Sequence, residues 1–333
     1  NIRHNEQRLP KDLRPTRTET SLPVGVPVLD GGDQARFIGQ QIEDMIENHV
    51  SASDIAVLYR SHYHSMEIQL ELQHRGIPFN IRGGLRFFEQ AHVKDVVSFL
   101  RIKHNPWDQT AWLRVLPMIP GVGHRTAEKF WNTIRTQSAP LAFAHSPEAN
   151  AVFSKKSQPD FANFANCLAV LEATDDVAEI VDTILNVFYR LYLQSNYNTP
   201  KRRLEDIKAI TSYASQFGDL GEFLADIALA AEFSGENDDP QSSSTVLLST
   251  IHQSKGLEWP VVFIPWLNEG RFPAGYSGNE QENVEEERRI FHVAVTRAKD
   301  HLYLCMPRRQ KHNGGGSSPL LPSRFVTELS PDL

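Results

Sequence analysis

The feature that most constrains this chain is an alternation of strand and helix patterns at its two ends, separated by a long stretch without strand patterns. Continuous apolar runs such as Ile55-Ala-Val-Leu-Tyr and Val261-Val-Phe-Ile are typical of strands buried on both faces of a parallel sheet. From about Ala91 to Phe233 such runs vanish, and apolar residues recur at helical spacing. The first helical stripe of that stretch consists of Val93, Val96, Val97 and Leu100. We therefore expect an α/β fold, a parallel sheet with helices on both faces, interrupted by an all-helical inserted subdomain.

The order of these patterns predicts where the chain changes domain. The N-terminal part alternates strand, helix, strand, helix and strand, and strands return at Val246 after the polar segment Ser234–Ser244. We expect the sheet domain to comprise residues 1–90 and 243–333, and the helical insertion to comprise residues 91–242. Three separate domains are the alternative, but the first would then hold only about three strands, few for an independent sheet.

The net charge, the cysteines and the lengths of the apolar runs exclude several classes of protein. The net charge of −7 argues against a protein that coats nucleic acid through its overall field, although it leaves room for a local phosphate-binding groove. The two cysteines, Cys167 and Cys305, lie far apart in apolar surroundings. We therefore expect no disulfide and no metal site, and a reducing cytoplasm as the compartment. No apolar run approaches the roughly 20 residues that span a bilayer, so we expect no membrane association.

The sharpest local feature of the sequence is Arg297. If residues 285–299 form one helix, Arg297 falls on its apolar face. That face consists of Ile290, Val293, Ala294 and Ala298. A buried arginine needs an anion, and both a structural carboxylate and a phosphate satisfy this requirement. The preceding run Glu285-Glu-Glu-Arg-Arg is interpreted as helix-dipole compensation and a solvated surface.

A polar, glycine-containing segment follows the strand that ends near Thr250. Ligands bind at strand ends in open α/β sheets, where Thr250 and His252 could donate to phosphates. Glu258, at the end of the same segment, could accept hydrogen bonds from hydroxyl groups. Ordinary surface polarity explains the segment nearly as well.

A second glycine-rich turn, Ile119-Pro-Gly-Val-Gly-His-Arg-Thr-Ala-Glu-Lys, lies within the helical stretch. Glycines that open a helix leave backbone N–H groups free to hold a phosphate, and three cationic side chains follow. The candidate phosphate-binding residues are Gly121, Gly123, His124, Arg125 and Lys129. A tight interhelical turn that needs glycine for its backbone is the alternative.

Together these segments resemble the C-terminal half of the UvrD/Rep/PcrA group of superfamily 1 DNA helicases. Thr250-Ile-His-Gln-Ser-Lys-Gly-Leu-Glu-Trp is similar to helicase motif V, and Glu285-Glu-Glu-Arg-Arg-Ile-Phe-His-Val-Ala-Val-Thr-Arg-Ala-Lys to motif VI. The segments Ile55-Ala-Val-Leu-Tyr-Arg-Ser, Phe79-Asn-Ile-Arg-Gly-Gly-Leu-Arg-Phe-Phe and Pro322-Ser-Arg-Phe also resemble the family. The matches occur in family order and span nearly the whole chain.

The resemblance implies a RecA-like motor domain that forms one wall of an ATP site. Arg297 would be the motif VI arginine that contacts the γ-phosphate from across the cleft between two motor domains. Glu258 would bind the ribose, and Gly256 would lie beside the nucleotide.

The resemblance also implies contacts to DNA. Thr250, His252 and Arg60 would touch single-stranded DNA, together with His62, which stands where the family often has asparagine. The glycine-rich turn would act as a helix-hairpin-helix element that grips duplex backbone. We expect an ATP-dependent helicase, 3′-to-5′ by resemblance, that works at junctions between single-stranded and duplex DNA.

Several catalytic parts are absent from this sequence. It contains neither G-x-x-x-x-G-K followed by Ser or Thr nor a strand that ends in Asp-Glu. We therefore expect ATP and Mg²⁺ to be bound mainly by an N-terminal RecA-like motor domain of a longer chain, and this chain alone to be inactive. The start at Asn1 fits a fragment or a processed product. The alternative is a stand-alone DNA- or protein-binding regulatory module without ATPase activity. A helicase–nuclease fusion is a third possibility, but the sequence contains no carboxylate cluster of the kind that a nuclease needs.

Overall fold

The computed structural model describes residues 21–82, 85–232, 245–274, 280–311 and 316–329. The chain divides into two compact units. The first, here named the sheet unit, comprises the described residues of Asn1–Phe87, Glu232–Lys311 and Gly316–Leu333. The second, the helical unit, comprises the described residues of Phe88–Ala231. The predicted linker Ser234–Ser244 lies outside the described residues, so the predicted domain boundaries remain predictions.

The sheet unit contains a parallel sheet of six strands in the order β1-β6-β5-β2-β4-β3. Its strands are β1 (Val24–Val28), β2 (Ile55–Tyr59), β3 (Phe79–Arg82), β4 (Val246–Thr250), β5 (Trp259–Ile264) and β6 (Ala298–Pro307). An antiparallel pair, β7 (Arg309–Lys311) and β8 (Ser317–Pro319), follows. The described α-helices are α1 (Gly31–Glu47), α2 (Met66–His74), α3 (Ala91–His104), α4 (Gln109–Val115), α5 (His124–Ile134), α6 (Pro140–Ala144), α7 (Pro147–Ala151), α8 (Gln158–Glu172), α9 (Val177–Thr183), α10 (Arg190–Asn196), α11 (Pro200–Ala214), α12 (Leu220–Glu232), α13 (Glu280–Val295) and α14 (Arg324–Thr327).

Strand β2 shows how the sheet is covered on both faces. Every residue of this strand is buried. Alternate side chains enter different cores, since successive residues of a strand point to opposite faces. Val57 packs in the cluster that includes Ile38 of α1, whereas Leu58 packs in the cluster that includes Phe291 of α13. The predicted α/β class with a doubly covered parallel sheet is therefore confirmed.

The helical unit is organised around an aromatic core. The rings of Phe99, Trp112, Phe130, Phe161 and Phe164 are fully buried and contact one another at centroid distances of 5.3–6.2 Å. A π-helical segment, Ile184–Tyr189, continues α9 into α10. All elements of this unit in the described part of the chain are helical, as the spacing of apolar residues predicts.

The predicted C-terminal end of the helix that precedes β6 is wrong. Helix α13 stops at Val295 rather than at Lys299, and β6 begins at Ala298. Arg297 therefore lies in the turn between them and not on a buried helical face. The cause is strand pairing, because Trp259 donates its backbone N–H to the carbonyl oxygen of Arg297 at 2.9 Å. This pairing with β5 overrides the helical propensity of the alanine that follows.

Candidate functional site

The candidate residues of the sheet unit fall at two opposite edges of the sheet. Strands β4 and β5 both run parallel to β2, which lies between them. Thr250 therefore ends β4 at the carboxyl edge, whereas Trp259 begins β5 at the amino edge. The segment Ile251–Glu258 connects the two edges and contains a single 3-10 turn, Ile251–Ser254. Thr250 and His252 are consequently separated from Gly256 and Glu258.

At the carboxyl edge, Arg60 and Thr250 are brought together by strand register. Tyr59 is the register partner of Thr250, and Arg60 follows Tyr59 directly. Thr250 is half-buried and His252 is exposed. Partial burial, and next the positive charge of Arg60, lower the pKa of His252, against the opposing effect of Glu287 and Glu286. The His252 ring is therefore expected to be neutral at pH 7 and to act through hydrogen bonds rather than charge.

Arg60 is held by a carboxylate that sequence reasoning missed. Its Nε donates to Oε1 and Oε2 of Glu287 at 2.9 and 3.1 Å, and its Nη2 donates to Oε1 at 2.7 Å. Glu287 is only 2% exposed, and the neighbouring Arg288 is also buried. The charged run of α13 is thus only partly the solvated surface that we expected, because Glu286 and Arg289 are exposed whereas Glu287 and Arg288 are buried. A DNA contact by Arg60 has to coexist with this bidentate pair.

His62 is placed differently from the exposed His252. Only 9% of its surface is exposed, and its ring packs edge-on against Tyr59 with 5.9 Å between centroids. Its carbonyl oxygen accepts a hydrogen bond from the Ser65 hydroxyl at 2.7 Å. A contact between the His62 ring and DNA would require the ring to leave this packing, and it remains a prediction.

At the amino edge, Arg297 is oriented by neutral acceptors. Its Nε donates to the Val293 carbonyl oxygen at 3.0 Å and its Nη1 to the Leu257 carbonyl oxygen at 2.8 Å. Its Nη2 donates to the Thr296 hydroxyl at 3.0 Å. None of these partners is a carboxylate, so the charge of this half-buried guanidinium is not neutralised by them. This differs from the structural ion pair that a buried arginine allowed us to expect.

Gly256 and Glu258 flank the Leu257 carbonyl that holds Arg297. Gly256 is exposed and has φ of +86°, a left-handed conformation that favours glycine. A Cβ at this position would meet no atom within 4 Å, so the turn leaves room for a ligand. The Glu258 residue is exposed. The edge therefore offers a fixed guanidinium, an open backbone turn and an accessible carboxylate.

The glycine-rich turn of the helical unit opens α5 as predicted. Gly121 has φ of +77°, and a Cβ there would lie 2.8 Å from the Ser157 hydroxyl. Gly123 is the N-cap of α5, and no side chain caps this end. The first N–H groups of the helix therefore lack a side-chain acceptor. Exposed residues with basic side chains follow, namely His124, Arg125 and Lys129.

The described residues were also compared with the requirements of a metal site, a membrane-spanning helix and a reactive cysteine. Among these residues no three His, Cys, Asp or Glu side chains are arranged to hold a metal ion, and no helix is long and apolar enough to cross a membrane. Cys167 and Cys305 are both buried and form no disulfide. Burial raises the pKa of the Cys167 thiol to about 12 and that of Cys305 still further, so neither has the low pKa of a reactive cysteine.

Comparison with known proteins gives consistent matches along the whole chain. The family model for the UvrD-like helicase C-terminal domain matches residues 4–309. DNA helicase II of Haemophilus influenzae is 31% identical over 98% of this chain and 47% of its own length. ATP-dependent DNA helicase PcrA of Bacillus subtilis is 29% identical over 100% of this chain and 47% of its own. ATP-dependent DNA helicase UvrD1 of Mycobacterium tuberculosis is 28% identical over 100% of this chain and 46% of its own length. The chain thus spans about half the length of the curated relatives it matches.

Proposed function

Because this chain belongs to the family of UvrD-like helicase C-terminal domains, we propose that it supplies the second motor domain and the inserted helical subdomain of an ATP-dependent DNA helicase. The sheet unit would be the RecA-like second motor domain, and the helical unit would be the insertion. Residues 1–90, 91–242 and 243–333 would then be the successive parts of this arrangement. ATP would bind between this motor domain and an N-terminal motor domain of the complete protein.

The observation that carries the proposal is the placement of two candidate groups at opposite edges of one sheet. In the strand-contact group, Thr250 ends β4 and His252 lies two residues beyond it. In the nucleotide group, Glu258 directly precedes β5 and Arg297 directly precedes β6. The short segment Ile251–Glu258 links the groups directly. A displacement at the nucleotide edge would therefore be transmitted to the strand edge through a few residues of backbone.

Helix α13 forms a second link between the edges. Glu287, in the middle of α13, holds Arg60 at the carboxyl edge, and the turn after the last residue of the helix carries Arg297 at the amino edge. A helix transmits displacement along its axis because its backbone hydrogen bonds make it stiff. Closure of the two motor domains on ATP would thus shift Arg60 together with Thr250 and His252. Repeated closure and opening would move single-stranded DNA, 3′-to-5′ as the family resemblance implies.

Arg297 would act as the arginine finger of this ATP site. Its three neutral acceptors orient the guanidinium and leave its positive charge available for an anion. A pre-oriented positive charge stabilises the negative charge that develops on the γ-phosphate oxygens during phosphoryl transfer. Glu258 would accept hydrogen bonds from the ribose hydroxyls, beside the open turn at Gly256.

Mg²⁺ and most phosphate contacts would come from the N-terminal motor domain. The described residues offer no carboxylate cluster for a divalent cation. Mg²⁺ prefers octahedral oxygen ligands, including carboxylates and the substrate phosphates themselves. The helical unit would grip the duplex backbone at the single-strand junction through the turn at Gly121 and Gly123.

The proposal is tested by ATP hydrolysis and unwinding with the complete protein and with this chain alone. We expect the complete protein to hydrolyse ATP when single-stranded DNA is added and to unwind a duplex with a 3′ tail faster than one with a 5′ tail. The chain alone should bind single-stranded DNA without hydrolysing ATP. DNA binding by the complete protein without any hydrolysis would instead favour a binding module.

A further inference from the structure

An aromatic cluster with one arginine lies at the carboxyl ends of the neighbouring strands β2 and β5. The Tyr63 ring meets the His64 ring edge-on at 4.3 Å, and the His64 ring stacks on Trp266 at 6.0 Å. The Arg271 guanidinium lies over both Tyr63 and Trp266, 5.4 and 5.5 Å from the ring centroids. Its Nη1 also donates to the Tyr63 hydroxyl at 3.1 Å. We name these four residues the aromatic cluster.

Trp266 has an unfavourable backbone conformation, which its surroundings enforce. It has φ of +58°, a left-handed conformation that is costly for a bulky side chain. A Cβ at Gly31 would lie 2.6 Å from Cζ2 of its indole, so the ring packs directly over this glycine. Its backbone N–H donates to Oε1 of the buried Gln34 at 2.8 Å. Such strain persists only where the surroundings enforce it, and it concentrates at functional sites.

His64 acts in the cluster as a neutral spacer. It is 1% exposed, and in the described part of the chain neither ring nitrogen has a hydrogen-bond partner. Burial, and next the charges of Arg271 and Arg60, lower the pKa of His64 well below 6.5. The net positive charge of the cluster therefore belongs to Arg271. Tyr63, Trp266 and Arg271 are each partly exposed, unlike the histidine between them.

The aromatic cluster is adjacent to the proposed strand contacts. Tyr63 follows Arg60 in the same loop after β2, and the guanidinium groups of Arg60 and Arg271 both act electrostatically on His64. The backbone N–H of Ala274 donates to Oε2 of Glu287 at 3.4 Å, so the loop of Arg271 contacts the carboxylate that holds Arg60. The Glu67 carboxylate lies beside the Trp266 indole, since a Cβ at Gly31 would meet both.

We propose that Tyr63, Trp266 and Arg271 form a stacking site for a nucleobase of the single strand bound at Arg60, Thr250 and His252. This site rests on the proposed function and extends it from the backbone of the strand to its bases. Aromatic faces and an arginine plane hold any base by stacking and cation–π attraction, so the site needs no sequence preference. The guanidinium of Arg271 adds a positive charge that suits a polyanion.

The test compares two strands of equal charge in the complete protein: a dT oligonucleotide and an abasic strand of the same length. Trp266→Gly removes the indole and suits the left-handed backbone, so it should not impair folding. Tyr63→Leu removes a second ring, and Tyr63→Phe is its matched control because it keeps the ring. The measurements are the dissociation constants for both strands at fixed salt, with thermal unfolding as a check of folding.

We expect the wild type to bind the dT strand more tightly than the abasic strand. Trp266→Gly and Tyr63→Leu should each weaken dT binding about tenfold, as loss of one stacked base implies, with abasic binding changed less than about twofold. Tyr63→Phe should resemble the wild type. An equal loss on both strands, or no loss on dT, overturns the stacking site. Absence of binding to either strand by the wild type would instead refute the proposed function.

Discussion

The guanidinium of Arg60 and the carboxylate of Glu287 join strand β2 to helix α13 through three hydrogen bonds of 2.7–3.1 Å. The two residues are 227 positions apart in sequence. The carboxylate side chain is 3% exposed and that of the arginine 18%. A buried carboxylate without this partner would be an uncompensated charge, so the pair fixes both the helix and the arginine.

Glu287→Ala should lower the free energy of unfolding by about 3 kcal/mol, because the half-buried Arg60 loses its counter-charge. The same variant should weaken single-stranded DNA binding, since Arg60 is no longer oriented. Urea unfolding and strand titration measure the two effects. Glu286→Ala is the matched control, because Glu286 is exposed and forms only a surface pair with Arg289 at 2.9 Å. Equal effects of the two variants would contradict the role of Glu287.

His64 should make the stability of the fold depend on pH. Its pKa in the folded protein lies well below the ordinary 6.5, because of burial and then of Arg271 and Arg60. The unfolded chain therefore binds more protons, and stability falls as the pH drops below about 6.5, by at most about 1.4 kcal/mol per pH unit. His64→Leu should reduce this loss between pH 7.5 and 5.5 in urea unfolding. His301→Gln, at an exposed position, should leave it as in the wild type. An unchanged loss in His64→Leu would contradict the assignment.

The two glycines of the turn before α5 should respond differently to substitution. Gly121→Ala should lower stability by about 1–2 kcal/mol, because φ of +77° is strained for alanine and the new Cβ would crowd Ser157. Gly123→Ala should have a small effect, since Gly123 has φ of −92° and open space around it. Thermal unfolding of both variants measures the difference. Equal destabilisation would show that the left-handed conformation is not what requires glycine.

Arg125→Gln and Lys129→Gln should weaken duplex DNA binding without changing single-strand affinity. Each should reduce the slope of log K against log salt by about one, as expected for a lost phosphate contact. The measurement is a salt titration of a blunt duplex and of a dT strand with the complete protein. Lys208→Gln removes an exposed lysine that already pairs with Glu205 at 3.1 Å, and it should leave both slopes unchanged. Unaltered slopes in all three variants would contradict these phosphate contacts and would leave the turn with a structural role only.

The parts of this protein that the sequence predicts well are those with a local signal. Strands β2 and β5 are continuous apolar runs, and the observed strands Ile55–Tyr59 and Trp259–Ile264 contain them. The proximity of Thr250 and Arg60, by contrast, depends on the pairing of β2 with β4, which no local signal predicts. The glycine-rich turn opens a helix because its local residues favour that conformation.

Features that depend on pairing between distant segments could not be predicted. Ala294 and Ala298 have helical spacing, yet the chain leaves the helix at Val295 because β6 pairs with β5. The burial of Glu287 depends on Arg60, and nothing within the charged run itself indicates that partner. The aromatic cluster likewise combines residues from two loops, each of which resembles ordinary surface sequence.

The most direct test of the central claim concerns Arg297 in ATP hydrolysis. We would measure hydrolysis by the complete protein with single-stranded DNA for the wild type, Arg297→Ala and the exposed control Arg289→Ala, alongside nucleotide affinity and thermal unfolding. If Arg297 is the arginine finger, Arg297→Ala loses on the order of 10³-fold or more in turnover, while the variant stays folded and still binds nucleotide and DNA. Arg289→Ala should resemble the wild type. Near-normal turnover of folded Arg297→Ala would contradict the claim and leave Arg297 as a residue that only braces the turn between α13 and β6.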